Sequence, residues 1–176
     1  MTGHGFKRVE EFLFDWLLYG AVTWYCNAEW GPVYGSLAAF CIMAPLSACV
    51  SFFWIAIYNA IGKDWLGLEL LKELKRSKGG NWFTRKARAI VRSGKGVPAF
   101  FVLSFWTDPF MTTVYFRKKG ETYTKLTGRD TNIFWCSVFV SNTYWTVRWS
   151  ALVQLIWYVW DYVEPVLRPL WQQLTN

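Results

Sequence analysis

The sequence predicts an all-α integral membrane protein with about four membrane-embedded helices. Of its 176 residues, 53% are hydrophobic and 20% aromatic, whereas only 18% are charged, less than the quarter usual in soluble domains. The apolar residues form long blocks, as membrane spans require. The net charge of +7 is concentrated between those blocks, where it suits anionic lipid headgroups. At this length we expect a single membrane domain, residues 1–176.

The first two apolar blocks, residues 12–30 and 35–61, predict a helical hairpin. Asp15 lies near the start of the first block, where a carboxylate favours the helix dipole or could pair with a buried cation. The stretch EWGPVY between the blocks reads as a tight turn. Small residues four apart in the second block let helices approach closely in lipid. These pairs are Gly35/Ala39, Ala44/Ala48, Ser47/Ser51 and Ala56/Ala60.

Residues 63–95 predict a basic amphipathic helix at the membrane surface. Leucines recur along one helical face, with charges on the other. We expect its cations to bind anionic headgroups or to dock a soluble partner; they are Lys72, Lys75, Arg76, Arg85, Lys86, Arg88 and Arg92. No nucleic-acid-binding motif accompanies this charge, so no nucleic acid is expected. The positive-inside rule puts this segment and the N-terminus in the cytoplasm of a bacterium, with the protein in the inner membrane, or in an organellar matrix.

Residues 97–115 predict a broken membrane segment. Pro109 cannot donate a helical hydrogen bond, and Asp108 before it is biased away from helical angles. Since Asp caps helices well and Pro favours the first helical position, we expect half-helices over 97–106 and 109–115. The segment could cross the membrane or fold back as a re-entrant hairpin. We expect crossing, because the cations of the basic loop 117–130 could still reach headgroups by snorkelling.

The last apolar block, residues 132–163, is about 45 Å long as a helix, more than the hydrocarbon thickness. We expect Pro165 and Pro169 to end it, and residues 164–176 to lie along the membrane surface. Arg148 lies in its middle, with Asn142 nearby. Because charge within lipid is costly, Arg148 is predicted to lie close to Asp108, with Asn142 or Asp15 contributing. Such a pair could be static packing or an ion path; alternatively, Arg148 pairs with lipid phosphate.

The catalytic motifs that would identify an enzyme are missing. The sequence has no G-x-S-x-G elbow, P-loop or H-E-x-x-H motif, and its one histidine, His4, is flanked by glycines near the N-terminus. The four cysteines lie in apolar blocks without metal-ligand spacing and are expected to be buried and inert. We therefore expect no catalysis, cofactor or metal.

Two functions remain, and a lipid-modifying enzyme is a distant third. The first is a non-catalytic subunit or scaffold of a membrane complex, whose partners are lipids and either copies of itself or other membrane subunits. The second is a small channel or transporter with its path near Asp108 and Arg148. A broken helix near the midplane is the best sequence indicator of a transport site.

Overall fold

The computed structural model is all-α and describes residues 9, 12–61, 89–90, 96–117 and 125–175. A π-helical turn, Leu13–Leu18, leads into the first helix. The helices are α1 (Tyr19–Ile61), α2 (Gly96–Trp106), α3 (Pro109–Phe116) and α4 (Gly128–Thr175). The basic surface helix predicted over residues 63–95 lies outside the described residues except for 89–90, and so do its seven candidate docking residues, Lys72, Lys75, Arg76, Arg85, Lys86, Arg88 and Arg92.

One helical stretch among the described residues, Leu13–Ile61, is long and apolar enough to cross a membrane. Only its length and its apolar composition indicate a span. α2 is also apolar but has 11 residues, about 16 Å of helix, or half of a hydrocarbon core. The predicted bundle of four membrane-embedded helices therefore stays a prediction.

Gly31 divides α1 into a first arm, residues 19–30, and a second arm, residues 32–61. Its φ of 74° and ψ of 176° are not helical, and a positive φ favours glycine. Contacts with α4 show that the chain reverses there. The first arm advances along α4 in parallel, and the second returns in the opposite direction, from Ser36 at Ser150 to Phe52 at Phe134.

Gly35 lets the two arms meet at their backbones. A Cβ atom added there would lie 2.4 Å from the carbonyl oxygen of Cys26 and 2.6 Å from the Cα of Asn27. A side chain of any size would push the arms apart. The chain therefore turns at Gly31 between the first two blocks, and four residues later the backbone at Gly35 packs directly against the backbone of the first arm.

The break at Asp108 matches the sequence prediction. Asp108 is extended (φ −76°, ψ 165°), and its Oδ1 accepts a 2.7 Å hydrogen bond from the backbone N–H of Met111. This is an N-cap for α3, with Pro109 in the first helical position.

α2 and α3 fold back on each other instead of continuing along one axis, while the crossing of the membrane stays a prediction. Phe100 near the start of α2 and Phe116 at the end of α3 have ring centroids 6.2 Å apart. Thr107 and Asp108 lie outside both helices, and the extended Asp108 turns the second axis back instead of bending it slightly. The pair α2–α3 is a helical hairpin with its tip at Asp108.

α4 contacts each of the other three helices. Its 48 residues correspond to roughly 72 Å of helix. It continues past Pro165 and Pro169, so the predicted end near residue 163 is wrong. A proline removes one helical hydrogen bond, which is tolerated where the freed carbonyl stays exposed. Glu164 and Arg168, one turn apart and 2.5 Å from each other, support this part of the helix.

A buried ion pair joins α1, α3 and α4 at one end of the bundle. Arg117, at the end of α3, has its Nε 4.0 Å from Asp130 Oδ2 and donates a 2.8 Å hydrogen bond from Nη1 to Asn59 Oδ1. Asp130 also accepts from the N–H of Thr127, whose hydroxyl accepts from the N–H of Asp130, a reciprocal capping box. The end of α1, the end of α3 and the start of α4 therefore meet at the same end.

Candidate functional site

A cavity of about 80 Å³ lies at the tip of the α2–α3 hairpin. Ser47 and Ser51, halfway along the second arm, line one wall, so the tip reaches the middle of the bundle. The cavity brings together three of the predicted site residues, Asp15, Asp108 and Asn142. Its remaining polar lining residues are Tyr19, Thr107 and Ser141. We refer to it as the central cavity.

Asp108 reaches the central cavity because it is the extended cap between α2 and α3. One carboxylate oxygen is fixed by the N–H of Met111. Pro109, which completes the break, is buried and also lines the cavity. The hydroxyl of Thr107 donates to the carbonyl of Leu103 at 2.8 Å, and the backbone N–H of Thr107 donates to the same carbonyl at 2.7 Å, so both groups close the end of α2.

Asp15 reaches the cavity from the π-helical turn. Its backbone carbonyl accepts a 3.0 Å hydrogen bond from the indole N–H of Trp149. Gly20 permits this contact, since a Cβ atom there would lie 3.1 Å from the Trp149 ring. π-helical turns occur frequently at functional sites.

Asn142 is fully buried and belongs to a small hydrogen-bond network. Its side-chain N–H donates to the carbonyl of Val138 at 2.7 Å. The hydroxyl of Tyr19 donates to the Asn142 carbonyl and lies 3.0 Å from the Thr146 hydroxyl. The network connects the first arm to α4 directly beside the cavity.

Arg148 lies outside the central cavity, which is a correction to the predicted ion pair with Asp108. Its side chain is exposed, and the guanidinium carbon lies 4.6 Å from the ring centroid of Trp145 and 5.4 Å from that of Trp16. Two indole faces stabilise the cation without a carboxylate. Trp145 itself lines the cavity, so Arg148 contacts a residue of the cavity wall without lining the cavity.

Most of the small residues predicted to pack helices together are buried. Gly35, Ala39, Ser47, Ala48 and Ser51 are buried and Ala44 is half-buried, whereas Ala56 and Ala60 are exposed. Ser47 and Ser51 thus combine close packing with a place in the cavity wall.

The prediction for the cysteines is wrong for three of the four. Cys26 is buried, but Cys41, Cys49 and Cys136 are exposed on apolar faces. An apolar block does not tell which of its faces is turned inward. Among the described residues, no group of three His, Cys, Asp or Glu side chains could hold a metal ion.

Two facing rows of polar side chains extend from the cavity toward the Gly31 turn. On the first arm and the π-helical turn that precedes it, the row has a member at every fourth residue, and so does the row on α4. Hydrogen bonds join them: Tyr19 to Asn142 and Thr146, and Asn27 Nδ2 to Ser150 Oγ at 3.3 Å. We call these rows the polar seam, which comprises Asp15, Tyr19, Thr23, Asn27, Asn142, Thr146, Ser150 and Gln154.

The polar seam was not predicted from the sequence, although its signal is readable. Four polar residues with a spacing of four occur in each of two apolar blocks. In an apolar helix such a row marks one inward face, because unsatisfied polar groups are avoided in lipid. Facing rows with the same spacing can interdigitate as ridges of adjacent helices.

Comparison with known proteins gives no relative. This chain matches no protein-family model, no curated protein and no solved structure. A function must therefore be inferred from the arrangement of the cavity. Carboxylate, amide and hydroxyl oxygens around a small space can accept hydrogen bonds from water or replace the hydration shell of a cation.

Proposed function

We propose that this chain is a multi-pass integral membrane protein, and that it works as a small channel or transporter whose solute passes the central cavity. The observation that carries the proposal is the cavity at the helix break, lined by Asp15, Asp108 and Asn142. A break that leaves backbone groups free is tolerated in a membrane where it lines a polar cavity. Transport proteins place such breaks at their substrate sites.

The distribution of side chains supports a lipid environment. Among the described residues, fourteen polar or charged side chains are buried, against sixteen apolar ones, while thirty-three large apolar or aromatic side chains are exposed. Exposed examples in the first half of α4 are Phe139 at 62% and Val147 at 64%. In the most apolar part of Leu13–Ile61 only 33% of residues are buried, whereas the core helix of a soluble protein would be mostly buried.

The proposed topology follows from the helix ends that lie together. Asn59, Arg117 and Asp130 meet at one end of the bundle, so the two basic stretches, 63–95 and 117–130, are attached on one side. With α2–α3 as a re-entrant hairpin, the positive-inside rule holds for both stretches. We place this end, and the N-terminus, on the cytoplasmic side of a bacterial inner membrane or the matrix side of an organellar one.

Cysteine labelling tests this topology. In a background without native cysteines, a cysteine in place of Glu29, at the Gly31 turn, is expected to react with an impermeant maleimide added outside the cells. Cysteines at Lys125 and at Lys75 are expected to react only after the membrane is permeabilised. Opposite sidedness of Lys125 and Lys75 would mean that the broken segment crosses.

The lining of the cavity favours a cation or a proton as the solute. Asp15 and Asp108 both line the cavity, whereas Arg148 does not, and its guanidinium lies against two indole rings. Acidic side chains that line a path through a membrane attract cations. The same acidic side chains would repel an anion.

Asp108→Asn is expected to reduce cation or proton flux through purified protein in liposomes by at least tenfold. The amide keeps an oxygen that can accept from Met111, so the cap of α3 is retained while the charge is lost. Asp161→Asn is the matched control, since Asp161 is an exposed residue of α4 outside the cavity lining. Flux through Asp108→Asn equal to that of the control would contradict a path past Asp108.

The alternative function is the non-catalytic subunit or scaffold of a homo- or hetero-oligomeric membrane complex. One observation favours it: the C-terminal part of α4 carries large exposed side chains over several turns, including Tyr158 at 70% and Tyr162 at 79%. A helix of roughly 72 Å also projects past a hydrocarbon core of about 30 Å. If wild-type protein carries no flux and native mass spectrometry finds a defined oligomer, this function replaces transport.

A further inference from the structure

The polar seam contains buried polar atoms that the protein itself leaves without hydrogen bonds. Among the described residues, Thr23 Oγ1, Asn27 Oδ1 and Gln154 Nε2 have no protein partner. Thr23 is 0% and Asn27 1% exposed. A buried polar atom without a partner costs about 1–3 kcal/mol. Three such atoms at one helix interface therefore require an explanation.

The three atoms lie within about one helical turn of a common point. Asn27 Nδ2 donates to Ser150 Oγ, which sets the two helices in register. Thr23 precedes Asn27 by four residues, and Gln154 follows Ser150 by four, about 5–6 Å in each case. Gln154 Nε2 can donate a hydrogen bond, Asn27 Oδ1 can accept one, and the Thr23 hydroxyl can do either. Thr23 and Gln154 lie on opposite sides of the Asn27–Ser150 contact, so several waters in a row can hydrogen-bond to these atoms, as buried water does with otherwise-unsatisfied polar groups.

The seam is continuous with the central cavity at one end and approaches the Gly31 turn at the other. Asp15, Tyr19 and Asn142 line the cavity. Tyr19 and Thr146 form the next step, and Thr23 lies one turn beyond Tyr19. Ser150 then receives hydrogen bonds from Asn27 and from Ser36, which lies just past the turn. Polar groups thus follow one another over half of the bundle.

We propose that water bound along the polar seam forms a proton path between the central cavity and the Gly31 end. This proposal rests on the proposed function and narrows its solute to protons. The seam is too closely packed for a hydrated metal ion, since Tyr19 and Thr146 are 3.0 Å apart and Asn27 and Ser150 3.3 Å. A proton needs no such space at these two contacts, because it can move along hydrogen bonds between hydroxyl groups and neighbouring waters. One proton joins the water chain at one end as another leaves at the other, and each O–H bond that breaks is replaced by a new one.

Thr23→Val gives the sharpest test. Valine has nearly the same shape, and the Thr23 hydroxyl makes no hydrogen bond to the protein. If the seam only packs helices, the substitution should leave stability unchanged or raise it, and leave flux unchanged. If the seam holds conducting water, removing one of its polar partners should lower proton flux at least tenfold while the fold is kept. Gln154→Met is a second variant with the same expectation.

Thr143→Val is the matched control, because Thr143 is an exposed threonine of α4 whose hydroxyl donates to its own helix, at Phe139. The protein is reconstituted in liposomes containing a pH-sensitive dye, with a potassium gradient and valinomycin to set the voltage; parallel vesicles contain a sodium-sensitive dye. Thermal unfolding followed by tryptophan fluorescence reports on the fold.

Each result of these assays decides between the proposals. Proton flux that falls in Thr23→Val and Gln154→Met, but not in Thr143→Val, supports the proton path. Flux that depends on Asp108 but is unchanged in both seam variants overturns the seam and leaves transport through the cavity intact. Sodium flux through the wild type also overturns the restriction to protons. A wild type that carries neither ion overturns both proposals.

Discussion

Asp130→Asn is expected to lower the free energy of unfolding by about 3–5 kcal/mol, the usual cost of breaking a buried ion pair. The side chains of Arg117 and Asp130 are 1% and 2% exposed. The substitution removes the negative charge 4.0 Å from Arg117 Nε but keeps a side-chain oxygen for the N–H of Thr127. The capping box is therefore retained, and the loss reports on the charge.

A double-mutant cycle identifies the origin of this loss. Arg117→Met removes the cation and its hydrogen bond to Asn59, and the double variant should be less destabilised than the sum of the single ones, because neither charge remains. Unfolding is measured in detergent by tryptophan fluorescence.

The matched control is Glu164→Gln in the exposed pair with Arg168, whose side chains are 39% and 68% exposed. This change should cost no more than about 0.5 kcal/mol. Equal losses at Asp130 and Glu164 would mean that the buried pair does not hold the ends of α1, α3 and α4 together.

The break in the third apolar block was predictable because it depends on two adjacent residues. Asp108 is a good cap, and Pro109 limits the angles of both positions. The direction of the chain after the break was not predictable from them. It depends on contacts such as that between Phe100 and Phe116. The sequence does not show which of the many aromatic residues will form such a pair.

The buried ion pair was missed for a similar reason. Arg117 and Asp130 flank a polar stretch that reads as a solvated loop. The capping box of Thr127 and Asp130 was readable from the spacing of a hydroxyl and a carboxylate three residues apart. Burial of the same carboxylate was not, since it depends on the return of α3 to the end of the bundle that Asn59 also reaches.

The candidate site was half predictable. Charge within an apolar block marks Asp15 and Asp108 as unusual, and both line the central cavity. The predicted proximity of Arg148 to Asp108 was wrong, because the cation lies against aromatic rings instead of a carboxylate. The indoles of Trp16 and Trp145 are the alternative, and a chain with 13 tryptophans offers many of them.

Gly35→Ala is expected to destabilise the α1 hairpin by about 3 kcal/mol, the upper end of the usual range for overpacking. The added methyl group would lie 2.4 Å from the Cys26 carbonyl oxygen and 2.6 Å from the Asn27 Cα. Both are backbone atoms, so relief requires a shift of a whole arm. Such a shift would also strain the hydrogen bonds that Asn27 and Ser36 make to Ser150. Gly35→Leu should abolish the folded protein.

Gly96→Ala controls for the loss of a glycine as such. Nothing lies within 4 Å of the position of its added Cβ atom, and alanine favours helix by up to about 1 kcal/mol over glycine. We therefore expect Gly96→Ala to unfold at the wild-type temperature or above it, and Gly35→Ala well below it. Equal unfolding temperatures would mean that the arms of α1 separate without cost. In that case the residue at position 35 would not affect the contact between Asn27 and Ser150, and the polar seam would form without the close approach at Gly35.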